Sequence, residues 1–273
     1  MIRSPAVAGM FYHYERGMLR EQIEECVKPN ATKEEVSGIV VPHAGYVYLG
    51  KVAGAVYSGI KMPDTFVILG PNHTGYGADF SIATSGIWRM PFGEVRIDSN
   101  LAEDILKHSK VLEINELAHS KEHSIEVQLP FMQYFSESFQ IVPIAVRHYP
   151  PRDQFLKACE DVGNAIAEAV KNTKEKVVVA ASTDLTHYES QKTAEEKDKI
   201  ALNAILALDA KKLFQEVMNR DISMCGYGPV AVTITACRKL GCTKTKLVEY
   251  MTSGDVTGDK AQVVGYGGVT ISR

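Results

Sequence analysis

Three apolar runs, each followed within a few residues by a histidine, constrain this chain more than any other feature. They are Gly38-Ile39-Val40-Val41-Pro42-His43, Phe66-Val67-Ile68-Leu69-Gly70-Pro71-Asn72-His73, and Val177-Val178-Val179-Ala180-Ala181-Ser182-Thr183-Asp184-Leu185-Thr186-His187. None alternates polar with apolar residues, so each reads as a strand buried on both faces, the pattern of a parallel sheet covered by helices. The first breaks at proline, and the second is expected to stop abruptly at Gly70-Pro71. In open α/β sheets, ligands bind in the crevice outside the carboxyl ends of the strands. His43, His73 and the Asp184/His187 pair are therefore delivered where a site forms, with Asp184 three residues before His187 and expected to orient its ring.

The remaining patterns supply the covering layers. Residues 15–27 carry apolar side chains at Met18, Leu19, Ile23 and Val27, the spacing of a helix with one buried face. Residues 51–60 are rich in small side chains and read as a helix lying close on the sheet. Helices are also expected over 101–107, 154–171, 194–207, 210–218 and 230–240, and strands over 140–146, 246–251 and 261–271. Residues 81–98, with Pro91 and Gly93, read as a β-hairpin or an excursion bringing Trp88 and Phe92 near the strand ends. The expected fold is α/β, a central, largely parallel or mixed sheet flanked by helices, formed as one domain over 1–273.

Composition excludes several classes. A hydrophobic share of 45% and a charged share of 23% are ordinary for a globular protein. No apolar run approaches the roughly 18 residues that span a bilayer, so no membrane segment is expected. The opening residues lack a sustained apolar core, so nothing argues for secretion. A formal net charge of −3 without a basic run offers no electrostatic footprint for nucleic acid. The five cysteines are scattered without CxxC spacing, which suits reduced thiols and a cytoplasmic location.

Three further stretches offer candidate residues. His119 and His123 stand four apart with Glu126 nearby, but no glutamate follows His119 directly, so the zinc-protease motif is absent. The expectation is a helix beginning at His123 and Glu126 and facing the cleft. His148 follows an apolar strand, yet Tyr149-Pro150-Pro151 comes next and points to a solvated loop. Cys225 precedes Gly226-Tyr227-Gly228-Pro229 and a helix, where the helix dipole is expected to favour thiolate. Two histidines with one anionic ligand make the facial set used by non-haem iron and, with other geometry, by copper or zinc.

These residues together resemble a known family. Pro42-His43-Ala44-Gly45-Tyr46, Leu69-Gly70-Pro71-Asn72-His73, Glu122-His123-Ser124-Ile125-Glu126, Ser182-Thr183-Asp184-Leu185-Thr186-His187 and Cys225-Gly226 look like the blocks of the Memo family, in the same order, with Ala8-Gly9-Met10-Phe11-Tyr12 at the start. The resemblance implies a fold similar to the class III extradiol dioxygenases, which hold iron with two histidines and a carboxylate. Carried over, His43 and His73 match the histidine ligands, and Cys225 stands where those enzymes have glutamate. A soft thiolate there shifts preference toward copper or zinc, without excluding iron, and implies metal binding without classical dioxygenase activity. His187 resembles the acid-base histidine, Asp184 its partner, and His123 a residue lining the cleft. Animal relatives carry histidine where this chain has Gly228. The resemblance leaves three functions: a metal-dependent oxidoreductase, a binding protein for a phosphopeptide or partner, and a zinc hydrolase. It also implies radical-SAM and AMMECR1-like partners in a modification pathway.

Overall fold

In chain order the strands and helices are β1 (Ile2–Arg3), α1 (Arg16–Glu24), β2 (Gly38–Val41), α2 (Tyr46–Ser58), β3 (Thr65–Asn72), β4 (Phe80–Ile82), β5 (Ile87–Met90), β6 (Gly93–Ile97) and α3 (Ser99–His108). There follow β7 (Glu113–Ile114), α4 (Leu129–Phe135), β8 (Gln140–Arg147), α5 (Asp153–Asn172), β9 (Val177–Ser182), β10 (His187–Glu189) and α6 (Gln191–Leu206). The chain closes with α7 (Ala210–Asn219), α8 (Tyr227–Lys239), β11 (Lys244–Thr252), α9 (Ser253–Thr257) and β12 (Val263–Ser272). This is a computed structural model, and it describes residues 2–273.

The strands form a mixed sheet of twelve, in which β8, β3, β9 and β2 lie side by side and parallel. Ile39, Val40, Val41, Phe66, Val67, Ile68, Leu69, Val179, Ala180 and Ala181 are almost wholly inaccessible, as expected of strands covered on both faces. Antiparallel additions flank this block, β12 against β2 and β11 against β12 on one side, and β4 against the end of β8 on the other. Of the hairpin or excursion expected over 81–98, residues 87–97 form a hairpin as β5 and β6, while Ser81 and Ile82 belong to β4 against β8. Helix α8 packs against β9, β3 and β2, while α2 packs on β11 and β12. Helices α5 and α8 lie so close that a Cβ on Gly163 would stand 2.7 Å from the Val232 carbonyl oxygen. No helix among the described residues is long and apolar enough to cross a membrane.

Two expectations are corrected here. Strand β3 does not stop at Gly70-Pro71 but runs through to Asn72, paired with β8 as Gly70 to Ala145, Pro71 to Val146 and Asn72 to Arg147. Its pairing with β9 ends at Leu69, so by Pro71 only one neighbour remains and a missing N–H costs the ladder little. The α-helix expected to begin at His123 and Glu126 does not start there, because residues 117–128 take a different path. They make two short 3-10 turns, Leu117–His119 and Glu126–Gln128, and α4 begins only at Leu129.

A buried ion pair sets that loop. Arg3 donates from Nε to the His119 carbonyl at 2.7 Å and from a terminal nitrogen to the Glu122 carbonyl at 2.6 Å, and reaches Glu126 Oε2 at 2.8 Å. Glu126 also accepts from the Ala6 and Val7 N–H groups and from the Tyr12 hydroxyl, and Arg3 lies 4.1 Å over the Trp88 ring. Glu126 therefore turns away from the cleft and binds the opening segment to the loop, its charge compensated on every side.

Candidate functional site

Because β2, β3, β8 and β9 run parallel, their carboxyl ends open on one side of the sheet. His43 lies two residues beyond β2, His73 and His148 directly follow β3 and β8, and Asp184 lies two residues beyond β9. These residues line one cavity of about 1010 Å³ together with His123, His187 and Cys225. Every site residue expected from the sequence is thus in one place, and His148, read from the sequence as a solvated loop residue, joins them. It is exposed, but its Nδ1 donates to the Cys225 carbonyl at 3.1 Å and its ring lies 5.2 Å from Tyr227.

Three imidazoles form the centre. One ring nitrogen from each of His43, His73 and His123 lies within 4.8 Å of the others, a spacing able to hold a metal ion. The His73 and His123 rings stack with centroids 4.6 Å apart, and His43 meets both edge-on at 5.2 and 5.5 Å. His43 is buried and uses Nδ1 on Ser182 Oγ at 3.0 Å, so Nε2 is the atom facing the cleft. Burial, and the neighbouring His73, His123 and His187, push its pKa well below the usual value. His123 is lowered as well, chiefly by burial, against the charge of Glu122.

Glu122 supports the other two rings. Its carboxylate accepts from His73 Nδ1 at 2.9 Å, from the His73 N–H at 2.5 Å, and from the N–H groups of His123 and Ser124 at 2.9 and 2.8 Å. His123 Nδ1 lies 3.4 Å from the same oxygen, Oε1. Burial alone would raise the Glu122 pKa, but the His73 hydrogen bond, the charges of His73 and His123, and the Ser124 N–H together hold it at about 2. A carboxylate behind a histidine is the arrangement that fixes a metal-binding imidazole. From the sequence alone Glu122 has no assigned role, although it heads the block Glu122-His123-Ser124-Ile125-Glu126 that carries part of the family resemblance.

Cys225 immediately precedes the Gly226 cap of α8, its Sγ 3.3 Å from His43 Nε2 and 3.7 Å from the Asp184 carbonyl. The expectation of a thiolate is reversed in the metal-free protein. Burial, and then the charge of Asp184, hold the thiol well above its usual pKa, outweighing the helix end. Asp184 does not hydrogen-bond the His187 ring as expected. Its Oδ1 accepts the His43 N–H at 2.8 Å, while His187 Nδ1 donates to the Ser223 carbonyl at 2.8 Å. Burial raises the Asp184 pKa to about 6, against the His43 hydrogen bond and the charges of His187 and His73. His119, four residues before His123, is wholly buried beside Trp88, its ring 6.1 Å from the indole.

The remaining wall is largely apolar and aromatic, with Phe11, Tyr48, Tyr188, Tyr266 and Met218 beside Asn72, Asp221 and Ser223, and no lysine or arginine among the described residues lines the cavity. Tyr188 is held at φ 59°, a left-handed conformation rare for a bulky residue, and is 72% exposed at the rim. At Gly228, in the first turn of α8, a Cβ would stand 2.7 Å from Phe155 Cζ. That space belongs to the Phe155 ring in this chain.

Fold and site define an α/β protein with a strand-end cleft whose three-histidine cluster can hold a metal ion. The chain belongs to the Memo-like protein family, whose match runs over residues 3–270. It is 43% identical over 278 residues to a MEMO1 family protein of Methanothermobacter thermautotrophicus, covering 97% of this chain and 99% of that relative. It is 42% identical over 279 residues to a MEMO1 family protein of Nitrosopumilus maritimus, covering 98% and 99%. Among solved structures, the crystal structure of an uncharacterized protein from Escherichia coli K12 is similar with a TM-score of 0.57. It is 7% identical and covers 85% of this chain and 99% of that one, a likeness of fold.

Proposed function

We propose that this protein binds a first-row transition metal, iron or copper, in the strand-end cleft and serves as a metal-dependent oxidoreductase acting on a small molecule. The convergence of His43, His73 and His123 carries the reading. The donors fit such an ion, because neutral imidazole suits iron, copper and zinc, and two of the three rings are already braced through Nδ1. Cys225, beside His43, is the fourth donor in this reading, and its soft sulfur favours copper. A bound ion would supply Lewis-acid and one-electron chemistry.

The chain's own residues support proton movement around that centre. His187 gives its Nδ1 hydrogen to a carbonyl, so when neutral its Nε2 is free to accept a proton. Asp184, with a pKa of about 6, holds or releases a proton near neutrality. The aromatic side chains of the wall favour an apolar or aromatic ligand. Phosphopeptide recognition uses arginine or lysine, and neither lines the cleft among the described residues, which favours the metal reading over the peptide one.

Oxygen uptake by the iron- or copper-loaded protein with a catechol as reductant tests the redox role. The expectation is uptake without ring cleavage, falling roughly 100-fold or more in H187A with metal content unchanged. Uptake equal to that of the free metal ion, or unchanged in H187A, contradicts the proposal.

A further inference from the structure

We infer that Ser182 is the positioning residue that fixes which nitrogen of His43 faces the cleft, and that it does so by coupling the loops of His43 and His123 through one buried hydroxyl. The inference rests on the metal-binding reading for its purpose, but its geometry stands independently. Ser182 ends β9 and is 1% exposed. Its Oγ lies 2.6 Å from the Ser124 carbonyl, 2.9 Å from Gln128 Nε2 and 3.0 Å from His43 Nδ1.

Only one assignment of hydrogens satisfies all three neighbours. The Ser124 carbonyl can only accept, so it takes the single hydroxyl hydrogen of Ser182. The side chain of Gln128 is oriented by two other groups. Its Nε2 also donates to the Pro42 carbonyl at 2.8 Å, and its Oε1 accepts from the Tyr57 hydroxyl at 2.9 Å. Nε2 therefore presents a hydrogen to Ser182 as well. With its hydrogen spent on Ser124 and one lone pair facing Gln128, the Ser182 oxygen can only accept from His43. His43 is thereby held as the Nδ1–H tautomer, with Nε2 bare toward the cleft. The opposite tautomer would leave the buried Ser124 carbonyl without its donor or set two lone pairs against each other, both costly in a site closed to water.

The same hydroxyl sets distances as well as the tautomer. Ser124 follows His123 and Pro42 precedes His43, so Ser182 and Gln128 tie together two of the three loops that bring the imidazoles into register. Ser182 does not line the cleft itself and acts through His43.

The test is a nitrogen-15 to proton correlation of the imidazole rings in the full-length, metal-free protein, with the His43 signals assigned from H43Q. The wild type should show a protonated Nδ1 and a bare Nε2 on His43. S182T, which keeps a hydroxyl, should retain that pattern. S182A should show both tautomers in exchange, and its affinity for zinc, used as the probe ion, should fall 10- to 100-fold. A protonated Nε2 in the wild type, or a His43 pattern and zinc affinity unaltered in S182A, overturns the inference. If wild-type protein shows the expected tautomer yet binds no zinc, iron or copper, the metal reading fails while the role of Ser182 in setting His43 stands.

Discussion

The two sides of the cleft hold their histidines by opposite means. The His43 ring is oriented by neutral groups, Ser182 from β9, Gln128 from the turn before α4 and Tyr57 from α2, while its backbone N–H is accepted by the Asp184 carboxylate. His73 and His123 are braced by charge, the Glu122 carboxylate, within a loop that the Arg3–Glu126 ion pair pins to the opening segment. His43 is 2% exposed, whereas the His73 side chain is 36% exposed. At the His43 ring a hydroxyl provides orientation without the cost of burying a further charge beside Asp184. Nearer solvent, a buried carboxylate is sustained by four hydrogen bonds and can order two rings at once. The orientation of the His43 ring thus uses no charge, whereas that of His73 and His123 depends on charges staying paired.

The most severe way to break the charged flank is E126A. It leaves Arg3 buried beside an uncompensated position and removes the acceptor for Ala6, Val7 and Tyr12, so equilibrium denaturation should show a loss of about 3–5 kcal/mol. H123A and C225A sharpen the donor set. If the three imidazoles are the primary ligands, H123A weakens metal binding by more than the roughly 100-fold that supporting residues cost, and C225A weakens it less. The reverse order, by calorimetric titration, would make Cys225 the third ligand.

E122Q should cost roughly 10- to 100-fold in metal affinity, because it preserves shape but removes the charge behind His73. It should also change the acid limb of stability. The Glu122 pKa is held at about 2 in the fold against an ordinary 4.5, so its contribution is complete above the ordinary value and is lost as pH falls toward the lower one. Denaturation followed from pH 6 down to about 2 should therefore show a shallower decline in E122Q than in the wild type. The smallest effect is expected from H119F. His119 lies against Trp88 outside the cleft, so metal affinity should be unchanged despite its spacing of four from His123.

These residues also show how much of the molecule its sequence disclosed. Unbroken apolar runs are the direct imprint of strands buried on both faces, so β2, β3 and β9, and the delivery of His43, His73 and Asp184 at their ends, were legible. The path of residues 119–128 was not, because it is set by Arg3, more than a hundred positions earlier, and no local pattern announces that contact. Glu122 and Ser182 were invisible as supporting residues for the same reason. His148 stood at a strand end like the others, but the prolines after it suggested solvent, and only the parallel pairing of β8 with β3 shows which cavity it reaches. Cys225 was found by its place before a helix, and its protonation was misjudged because burial, invisible in sequence, outweighs the dipole.

The central claim is that the strand-end imidazoles hold a metal ion, and elemental analysis of protein purified without added metal tests it most directly. Wild-type protein should carry iron or copper at close to one ion per chain, and H43A/H73A, purified in parallel, should carry none above background. Equal metal content in the two proteins, or none in the wild type even after anaerobic purification and reloading, would contradict the account.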